Sequence, residues 1–403
     1  MDTKITSYKE TPIGRIPKDW EVIKLEKVCK KIKAGGTPST RKPEYWNGNI
    51  PFVKIEDITS AGKCLKKTSN HISEEGLKGS NAWIVPENSL LLAMYGSLGE
   101  VTINKIPVAT NQAILGIITN ESICDVEFLY YWFLYFKPNW RKYAKPTTQA
   151  NLTAEIVKNT LIPLPPLEEQ KKIAEILSTV DKAIEKVDEA IARTERLKKG
   201  LMQELLTKGI GHKEFRDTEI GRIPMEWKVV KLGEIVDFKN GERPKAILQE
   251  GEIPIYGANG IMGYTNEYIV DSDFIIVIAR VGWGTVGKVH LATGKIWVSD
   301  NAIYSQNYKP SVHIPYLYYL LIFKHLERFA LRSAAGSYAI ITQTSLQNLK
   351  LQLPPPPEQK KIAEILSTVD KKLELERKRK EKLERIKKGL MSDLLTGKVR
   401  VKI

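Results

Sequence analysis

The sequence predicts an α+β (mixed α/β) fold in which two globular domains are joined by two long helices that form an antiparallel coiled coil. The whole chain is a pseudo-twofold tandem repeat. The segment EQKKIAEILSTVDK occurs at 169–182 and again, letter for letter, at 358–371. The motif IGRIP followed by a tryptophan occurs at 13–20 and again at 220–227. Each long repeat opens a helical heptad pattern, and each short repeat precedes apolar runs separated by turns.

The repeats divide the chain into two variable and two repeated parts. We expect the first domain at 1–164, the first long helix at 165–210, the second domain at 211–352 and the second long helix at 353–403. The short motifs lie 207 positions apart and the long repeats 189, so the first copy is longer. Asn111 and Asn301 align at an offset of 190, which places the extra residues before Asn111, mostly between Pro51 and Asn111.

The variable parts contain short apolar runs bounded by turn residues, which predict strands. These runs lie at 89–94, 114–118, 274–278 and 295–299. Two aromatic stretches, at 128–143 and 316–330, predict helices. Each variable part is therefore expected to be a compact mixed α/β domain.

Both repeated parts carry a heptad seam. Seam positions recur at alternating spacings of four and three residues from Ile173 to Leu205 and from Ile362 to Leu394. The ends of each seam are largely apolar and the middle is polar, with Glu376 and Lys380 in the second seam. Lysine also occupies seam positions 198 and 387, nearer the C-terminal ends. A helix of about 41 residues is roughly 60 Å long at 1.5 Å per residue.

Amphipathic helices of this length need a partner, and the obvious partner of each is the other. A two-helix strut or part of an ordinary helical bundle is the alternative. Parallel pairing would place both domains at one end of a rod, and antiparallel pairing would place them at opposite ends. The antiparallel form is favoured because a tandem repeat with short connections closes in this way without a long crossover.

Composition narrows the class of protein. The chain has 403 residues, 62 Lys+Arg against 47 Asp+Glu, and a formal charge of +15, which indicates a polyanionic partner, either nucleic acid or an acidic membrane surface. Cys29, Cys64 and Cys124 are far apart and form no CxxC pair, so a disulfide framework or zinc ribbon is not expected.

Neither secretion nor membrane insertion is expected, and the predicted location is the cytoplasm. The N-terminus, MDTK, lacks the apolar segment of a signal peptide. The longest apolar run, 128–136, is far shorter than the roughly 20 residues that span a bilayer. Its aromatic side chains could stack on bases, but a packed amphipathic helix is the favoured interpretation.

Taken with these repeats, the chain resembles the specificity (S) subunit of type I restriction-modification systems over almost all of its length. The motifs that carry the resemblance are IGRIPxxW before each domain, PLPPLEEQKKIAEIL at the first long helix, and KKGLM with LLT at the helix ends. Within the first domain they are GGTPS at 35–39, YWNG at 45–48 and TNQA at 110–113. Within the second they are RVGWGTVGK at 280–288 and the tripeptide Asp300-Asn301-Ala302.

The resemblance implies that each domain is a target-recognition domain reading one half of a split, asymmetric double-stranded DNA sequence. The long helices would form a spacer that sets the gap between half-sites and docks two methyltransferase subunits and the restriction subunits. This chain would be non-catalytic and would bind no cofactor, with S-adenosylmethionine on the partner methyltransferase. The second domain lacks GGTPS and YWNG, and its equivalent segment is KNGERPK at 239–245.

Loop residues of three kinds are candidates for DNA contact: lysine and arginine for phosphates, polar side chains for base edges, and glycines that let a backbone approach a phosphate. In the first domain these are Lys33, Gly35, Gly36, Thr37, Arg41, Lys42, Tyr95, Ser97, Thr148 and Gln149. In the second they are Arg243, Lys245, Asn259, Arg280, Trp283, Lys288, Ser337 and Tyr338. For any single lysine, a solvated surface charge remains the alternative.

Residues 371–403 hold 13 Lys/Arg and five Asp/Glu. They indicate either a basic face that meets DNA or a partner subunit, or a solvated helix with i,i+4 ion pairs. Two rival functions remain open, a coiled-coil adaptor and a stand-alone methyltransferase. The pattern Gly282-x-Gly284-x-x-Gly287 matches a dinucleotide fingerprint, but a hairpin is expected after it where a true fingerprint opens a helix.

Overall fold

The computed structural model describes residues 7–143, 152–282, 284–332 and 339–401. Five predicted contact residues lie outside the described residues, namely Thr148, Gln149, Trp283, Ser337 and Tyr338. The chain forms two compact units, Met1–Val187 with Arg379–Ile403, and Asp188–Lys378. Each unit therefore contains one variable domain together with parts of both long helices.

The first unit is built from short strands and helices followed by the first long helix. The strands are β1 Tyr8–Lys9, β2 Ile16–Pro17, β3 Glu21–Lys24, β4 Cys29–Ala34, β5 Trp46–Val53, β6 Cys64–Leu65, β7 Asn70–Ile72, β8 Leu90–Ala93, β9 Val101–Asn104, β10 Ala109–Thr110, β11 Ile114–Thr119 and β12 Leu161–Leu164. The helices are α1 Ile55–Ala61, α2 Glu74–Lys78, α3 Val126–Phe136, α4 Trp140–Tyr143, α5 Ala154–Asn159 and the long helix α6 Leu167–Leu205. The runs predicted as strands at 89–94 and 114–118 are observed as β8 and β11.

The second unit has a related arrangement of strands with fewer α-helices among its described residues. The strands are β13 Phe215–Thr218, β14 Gly221–Pro224, β15 Lys228–Lys231, β16 Asp237–Asn240, β17 Ile253–Gly257, β18 Gly260–Thr265, β19 Val270–Ala279, β20 Val289–Val298, β21 Ala302–Gln306, β22 Leu331–Arg332, β23 Ala339–Ile340 and β24 Lys350–Leu353. The helices are α7 Ile314–Phe323, α8 Gln343–Gln347 and the long helix α9 Pro356–Leu395. The segment after Gly287 continues as strand β20 and not as a helix, as expected. The hairpin expected after Gly287 is wrong, because residues 289–298 form one continuous strand that pairs with β19.

The main sheet of the first domain has the strand order β4-β11-β8-β9-β6 and is covered on both faces. Leu90 and Leu92 of β8 pack in the core that contains α3, whereas Leu91 packs with Val53 on the other face. Successive side chains of a strand point to opposite faces, so an all-apolar run is required here. Phe133 of α3 is fully buried, which confirms the packed helix over base stacking.

The main sheet of the second domain has the order β16-β21-β19-β20-β17-β18. Ile276 and Ile278 of β19 pack in the core that contains α7, and Ile275 and Val277 pack on the opposite face. The two domains therefore share one plan, a sheet with an aromatic helix on one face.

The first copy is longer because of residues between β5 and β7. Strand β5 pairs in parallel with β10, Val53 facing Thr110, just as β17 pairs with β20, Tyr256 facing Val298. After β5 the first domain inserts α1 and β6 before its antiparallel partner β7, whereas β17 turns directly into β18. The expectation that most extra residues lie between positions 51 and 111 is confirmed.

Within each unit the two long helices run antiparallel. In the first unit, Asp181 of α6 pairs with Lys387 of α9. Glu169, near the start of α6, pairs with Arg400, which lies beyond the end of α9. In the second unit, Glu195 pairs with Arg377 and Lys198 pairs with Asp370. Ascending positions in α6 thus meet descending positions in α9, which confirms the antiparallel pairing inside each unit. Among the described residues, no helix is long and apolar enough to cross a membrane.

Candidate nucleic-acid interface

Each domain brings three loops to one edge of its main sheet. The first loop follows β4 or β16, the second precedes β11 or β21, and the third follows β8 or β19. Because β11 is antiparallel to both β4 and β8, and β21 to both β16 and β19, these loop ends share one edge. We call these three loops together the loop edge. It comprises residues 35–42, 110–113 and 94–99 in the first domain and residues 241–245, 298–301, 280–282 and 284–288 in the second.

The first two loops are joined by the same pair of backbone hydrogen bonds in both domains. Gly35 donates to Ile114 at 3.1 Å and Gly36 to Thr110 at 2.9 Å. In the second domain, Gly241 donates to Ala302 at 2.9 Å and Glu242 to Val298 at 2.8 Å. The segment 239–245 therefore occupies the place of the first domain's glycine segment, as the sequence indicated.

These bonds correct one detail of the sequence alignment. The acceptors Ile114 and Ala302 are 188 positions apart, which makes Ser299 the equivalent of Asn111. The local turns agree, since Asn111 Oδ1 accepts from the amide of Ala113 at 3.0 Å and Ser299 Oγ from the amide of Asn301 at 3.4 Å. The pairing of Asn111 with Asn301 is therefore wrong, because the shared asparagine letter does not share a backbone position.

The third loop is also held by matching backbone bonds. The amide of Met94 donates to Ala113 at 2.8 Å, and that of Arg280 to Asn301 at 2.9 Å. The loop closes when a glycine amide donates back to the strand end, from Gly99 to Ala93 and from Gly287 to Ala279, each at 2.9 Å. Both closing glycines have left-handed φ, +78° and +84°. A side chain there would also collide, at Gly287 within 2.4 Å of a backbone nitrogen.

The glycines at the first loop have an internal role. Gly35 and Gly36 are buried, and a Cβ on Gly35 would lie 2.0 Å from the carbonyl oxygen of Thr110. Their glycine requirement is thus explained by close packing within the domain. Both amides are also bonded within the domain, so this burial does not favour the expected backbone approach to a phosphate, which stays a prediction at these two positions.

The other described candidates of the first domain lie on or beside the loop edge with different exposures. Lys33, Thr37, Arg41 and Lys42 are exposed. Thr37 Oγ1 donates to the Gln112 side chain, which ties the first loop to the second. Lys42 Nζ donates to the Tyr45 hydroxyl at 3.0 Å. Tyr95 and Ser97 of the third loop are half-buried, and burial raises the pKa of Tyr95.

In the second domain the structure brings the candidates together around the second loop. Arg243 and Lys245 line a cleft of about 460 Å³ together with Ile247, Met262 and residues 299–301. Lys245 forms an exposed ion pair, in which its Nζ lies 3.1 Å from a carboxylate oxygen of Glu267. Beside this cleft, Lys288 Nζ donates to Asn259 Oδ1 at 3.0 Å.

Arg280 is half-buried, unlike the other described lysine and arginine candidates, which are exposed. Its Nε is enclosed and finds no hydrogen-bond acceptor among the residues that the structure describes. The main chain of Arg280 is fixed on both sides, since its carbonyl also accepts from Ile341 at 2.9 Å. A fixed backbone with a partly exposed guanidinium side chain suits an arginine that meets an external acceptor.

Sequence reasoning missed several residues of the loop edge. Gln112 and Asp300 belong to motifs at 110–113 and 300–302, and their polar side chains next to turn residues were the available signal. Ile247 and Met262 line the cleft although they are apolar and about half exposed. No sequence signal marks them, because a single apolar residue is usually assigned to the core.

The basic charge of the C-terminal helix is partly neutralised along its own surface. Lys378 pairs with Glu374 one turn away, and Arg377 pairs with Glu195 of α6. These contacts fit the alternative of a solvated, ion-paired helix for part of residues 371–403.

The fold contains the same loop edge twice, with different side chains in the two domains, and paired helices follow the domains. This arrangement defines a two-site binding protein. Comparison with known proteins identifies the class. The family described as "Type I restriction modification DNA specificity domain" matches residues 17–193 and 224–385. The chain belongs to this family, that of type I restriction-modification specificity subunits.

Individual relatives cover nearly the whole chain. It is 32% identical to the type I restriction enzyme MjaVIII specificity subunit of Methanocaldococcus jannaschii, over 99% of this chain and 97% of the relative. It is 29% identical to the EcoprrI specificity subunit of Escherichia coli, over 90% of each chain.

A solved structure of the type I restriction-modification S subunit from M. genitalium has the same fold. Its TM-score is 0.63 at 19% identity, over 93% of this chain and 96% of that chain. A second solved chain comes from work on complex assembly and conformational transition of the type I system. It gives a TM-score of 0.58 at 20% identity, over 95% of this chain and 99% of that chain.

Proposed function

We propose that this chain is the sequence-specific double-stranded DNA recognition subunit of a type I restriction-modification complex. Each domain reads one half of an asymmetric bipartite site. One observation carries the proposal: the loop edge is built twice by the same backbone hydrogen bonds, yet it carries different side chains in the two domains. Two domains that recognise two different half-sites need the same backbone frame with different side chains on it.

The exposed groups on the loop edge match the chemistry of duplex recognition. Lysine and arginine neutralise phosphates, arginine can pair with guanine, and glutamine or asparagine can pair with adenine. The first domain offers Thr37, Arg41 and Gln112, and the second offers Arg243 and Asp300. An aspartate can accept from the amino group of cytosine, so the two domains are expected to prefer different bases.

The remaining roles follow from membership of the family. We propose that the chain is non-catalytic and binds no cofactor of its own. S-adenosylmethionine belongs to two partner methyltransferase subunits, and restriction subunits complete the complex. The long helices act as a spacer that sets the gap and docks these partners. The complex acts in the cytoplasm, where its DNA target lies.

The test is selection of bound duplexes from a random DNA pool by this chain co-purified with its methyltransferase subunits. We expect two short motifs at one fixed gap. A single motif would mean that only one domain reads bases, and no enrichment by a folded complex would favour the coiled-coil adaptor.

A paired variant assigns the half-sites. Arg243→Ala with Lys245→Ala should erase one motif and leave the other, because both side chains belong to the second domain. Lys309→Ala is the matched control, an exposed lysine that follows β21 at the end opposite the loop edge. If the double variant keeps both motifs at wild-type strength, the cleft of the second domain is not a reading surface.

A further inference from the structure

The heptad seam has an anomaly that the proposed function does not explain. Lys198 and Lys387 occupy seam positions, where apolar residues are expected. The structure gives each lysine a partner on the other helix. Lys198 Nζ lies 2.5 Å from Asp370 Oδ1, and Lys387 Nζ lies 2.6 Å from Asp181 Oδ1. All four side chains are at least two-thirds buried.

Each aspartate also accepts a hydrogen bond from a domain. The Tyr319 hydroxyl of α7 donates to the second oxygen of Asp370 at 2.8 Å. The Tyr131 hydroxyl of α3 donates to the second oxygen of Asp181 at 2.7 Å. Burial together with the aspartate raises the pKa of both tyrosines, so they remain donors at neutral pH. Each unit thus holds a tyrosine–aspartate–lysine triad that connects α6, α9 and the domain.

The two triads occupy repeated positions. Lys198 follows Asp181 by 17 residues in α6, and Lys387 follows Asp370 by 17 residues in α9. Antiparallel pairing places each aspartate against the other helix's lysine. Parallel pairing in register would place aspartate against aspartate and lysine against lysine. A slip of one helix turn, about 5.4 Å, would separate both ion pairs.

We propose that the triads Tyr131–Asp181–Lys387 and Tyr319–Asp370–Lys198 are the register lock of the spacer, positioning residues that fix the gap between the half-sites. The inference rests on the proposed function and deepens it. Polar groups at a seam specify register and orientation because any other alignment leaves them buried without partners. The tyrosine extends this lock from the helices to the domain that reads DNA.

The lock is unequal in the two units. In the first unit, Lys63 Nζ donates to Ser178 of α6 at 3.1 Å, to Glu127 at 2.8 Å and to Tyr131 at 3.2 Å. This lysine belongs to the segment inserted in the first copy and gives the domain a second connection to α6. Tyr319→Phe is therefore expected to disturb the gap more than Tyr131→Phe.

The experiment uses the full chain in complex with its methyltransferase subunits and the random DNA pool. For Asp370→Asn we expect both half-site motifs to persist, a spread of gap lengths, and about tenfold weaker binding at the wild-type gap. The swapped variant Lys198→Asp with Asp370→Lys restores the ion pair but leaves the Tyr319 hydroxyl without its carboxylate acceptor, so it should narrow the spread of gaps part of the way back to the wild-type gap. The matched control is Glu195→Gln, which breaks an ion pair between the same helices whose side chains are 50–60% exposed.

A sharp wild-type gap in folded Asp370→Asn, or no recovery in the swapped variant, would overturn the register lock while leaving the bipartite reader intact. Loss of both motifs in the wild-type complex would instead overturn the proposed function. If Asp370→Asn does not fold, Tyr319→Phe decides the question, because it keeps the ion pair. A spread of gaps then supports the lock, and an unchanged gap refutes it.

Discussion

Arg280 occupies in the second domain the position that Met94 occupies in the first. The amides of both residues donate to the second loop, to Asn301 and to Ala113. Met94 is buried in the hydrophobic core, whereas Arg280 is half-buried and its Nε lacks an acceptor among the described residues. One backbone position thus holds an apolar core residue in one domain and a cation rich in donors in the other.

Arg280→Ala should therefore relax one half-site only. Removal of an arginine that pairs with a base costs about 1–3 kcal/mol of discrimination at that base. We expect the motif read by the second domain to lose preference at one or two positions, while the other motif and the gap stay unchanged. Selection from the random pool measures this directly. Equal weakening at all sequences would assign Arg280 to a phosphate.

A heptad inserted into the middle of both α6 and α9 should widen the gap. Seven residues add about 10 Å of helix, which corresponds to about three base pairs at 3.4 Å each. Both half-site motifs should be retained because the domains are untouched. The gap is mapped in selected duplexes. An unchanged gap would contradict the role of the helices as a ruler.

Gly35→Ala should destabilise the first domain. The new Cβ would lie 2.0 Å from the carbonyl oxygen of Thr110, so the first and second loops must separate. We expect a loss of about 2–4 kcal/mol in the free energy of unfolding and loss of one motif.

Gly200→Ala is the control for this substitution. Gly200 lies within α6, and a Cβ there meets nothing within 4 Å. Alanine should stabilise the helix by about 0.5–1 kcal/mol. Urea unfolding of the two variants gives both numbers, and equal stability in both would contradict the packing role of Gly35.

Arg400 should stabilise the first unit through a buried carboxylate. Its guanidinium bonds Glu169 at 2.7 and 2.8 Å and Asp19 at 2.6 and 2.8 Å, and Glu169 is fully buried. Arg400→Ala leaves Glu169, among the described side chains, with the Trp20 indole as its remaining hydrogen-bond donor, 3.0 Å away. We expect a loss of about 3 kcal/mol, measured by urea unfolding. Arg193→Ala, which breaks an exposed pair, should cost less than about 0.5 kcal/mol.

The same contact gives a pH dependence. The hydrogen bond from Arg400 lowers the pKa of Asp19 below its ordinary value. The folded protein then binds fewer protons than the unfolded chain in mild acid. The contribution of Asp19 is complete above the unfolded pKa of about 3.9 and is lost as the pH falls through the lower folded value. Asp19→Asn should flatten this small part of the stability profile in acid, below about pH 5, and urea unfolding at a series of pH values measures it.

Periodic features were predictable from the sequence, and contacts between distant loops were not. The strands β8 and β11, the aromatic helix α3 and the antiparallel helices follow from apolar spacing and from the repeats themselves. The internal role of Gly35, the partners of Lys198 and the equivalence of Ser299 with Asn111 depend on hydrogen bonds and packing between segments far apart in the chain. Composition marks such residues as polar or small without indicating what they touch.

The loop edge is assembled from main-chain amides and carbonyls. Main-chain donors and acceptors are the same for nearly every amino acid, so the frame places few demands on the side chains that it carries. A new set of bases can therefore be recognised through replacement of exposed loop residues, with the frame unchanged. The two domains of this molecule share the backbone frame and differ in the side chains that it carries, which is one instance of such a replacement.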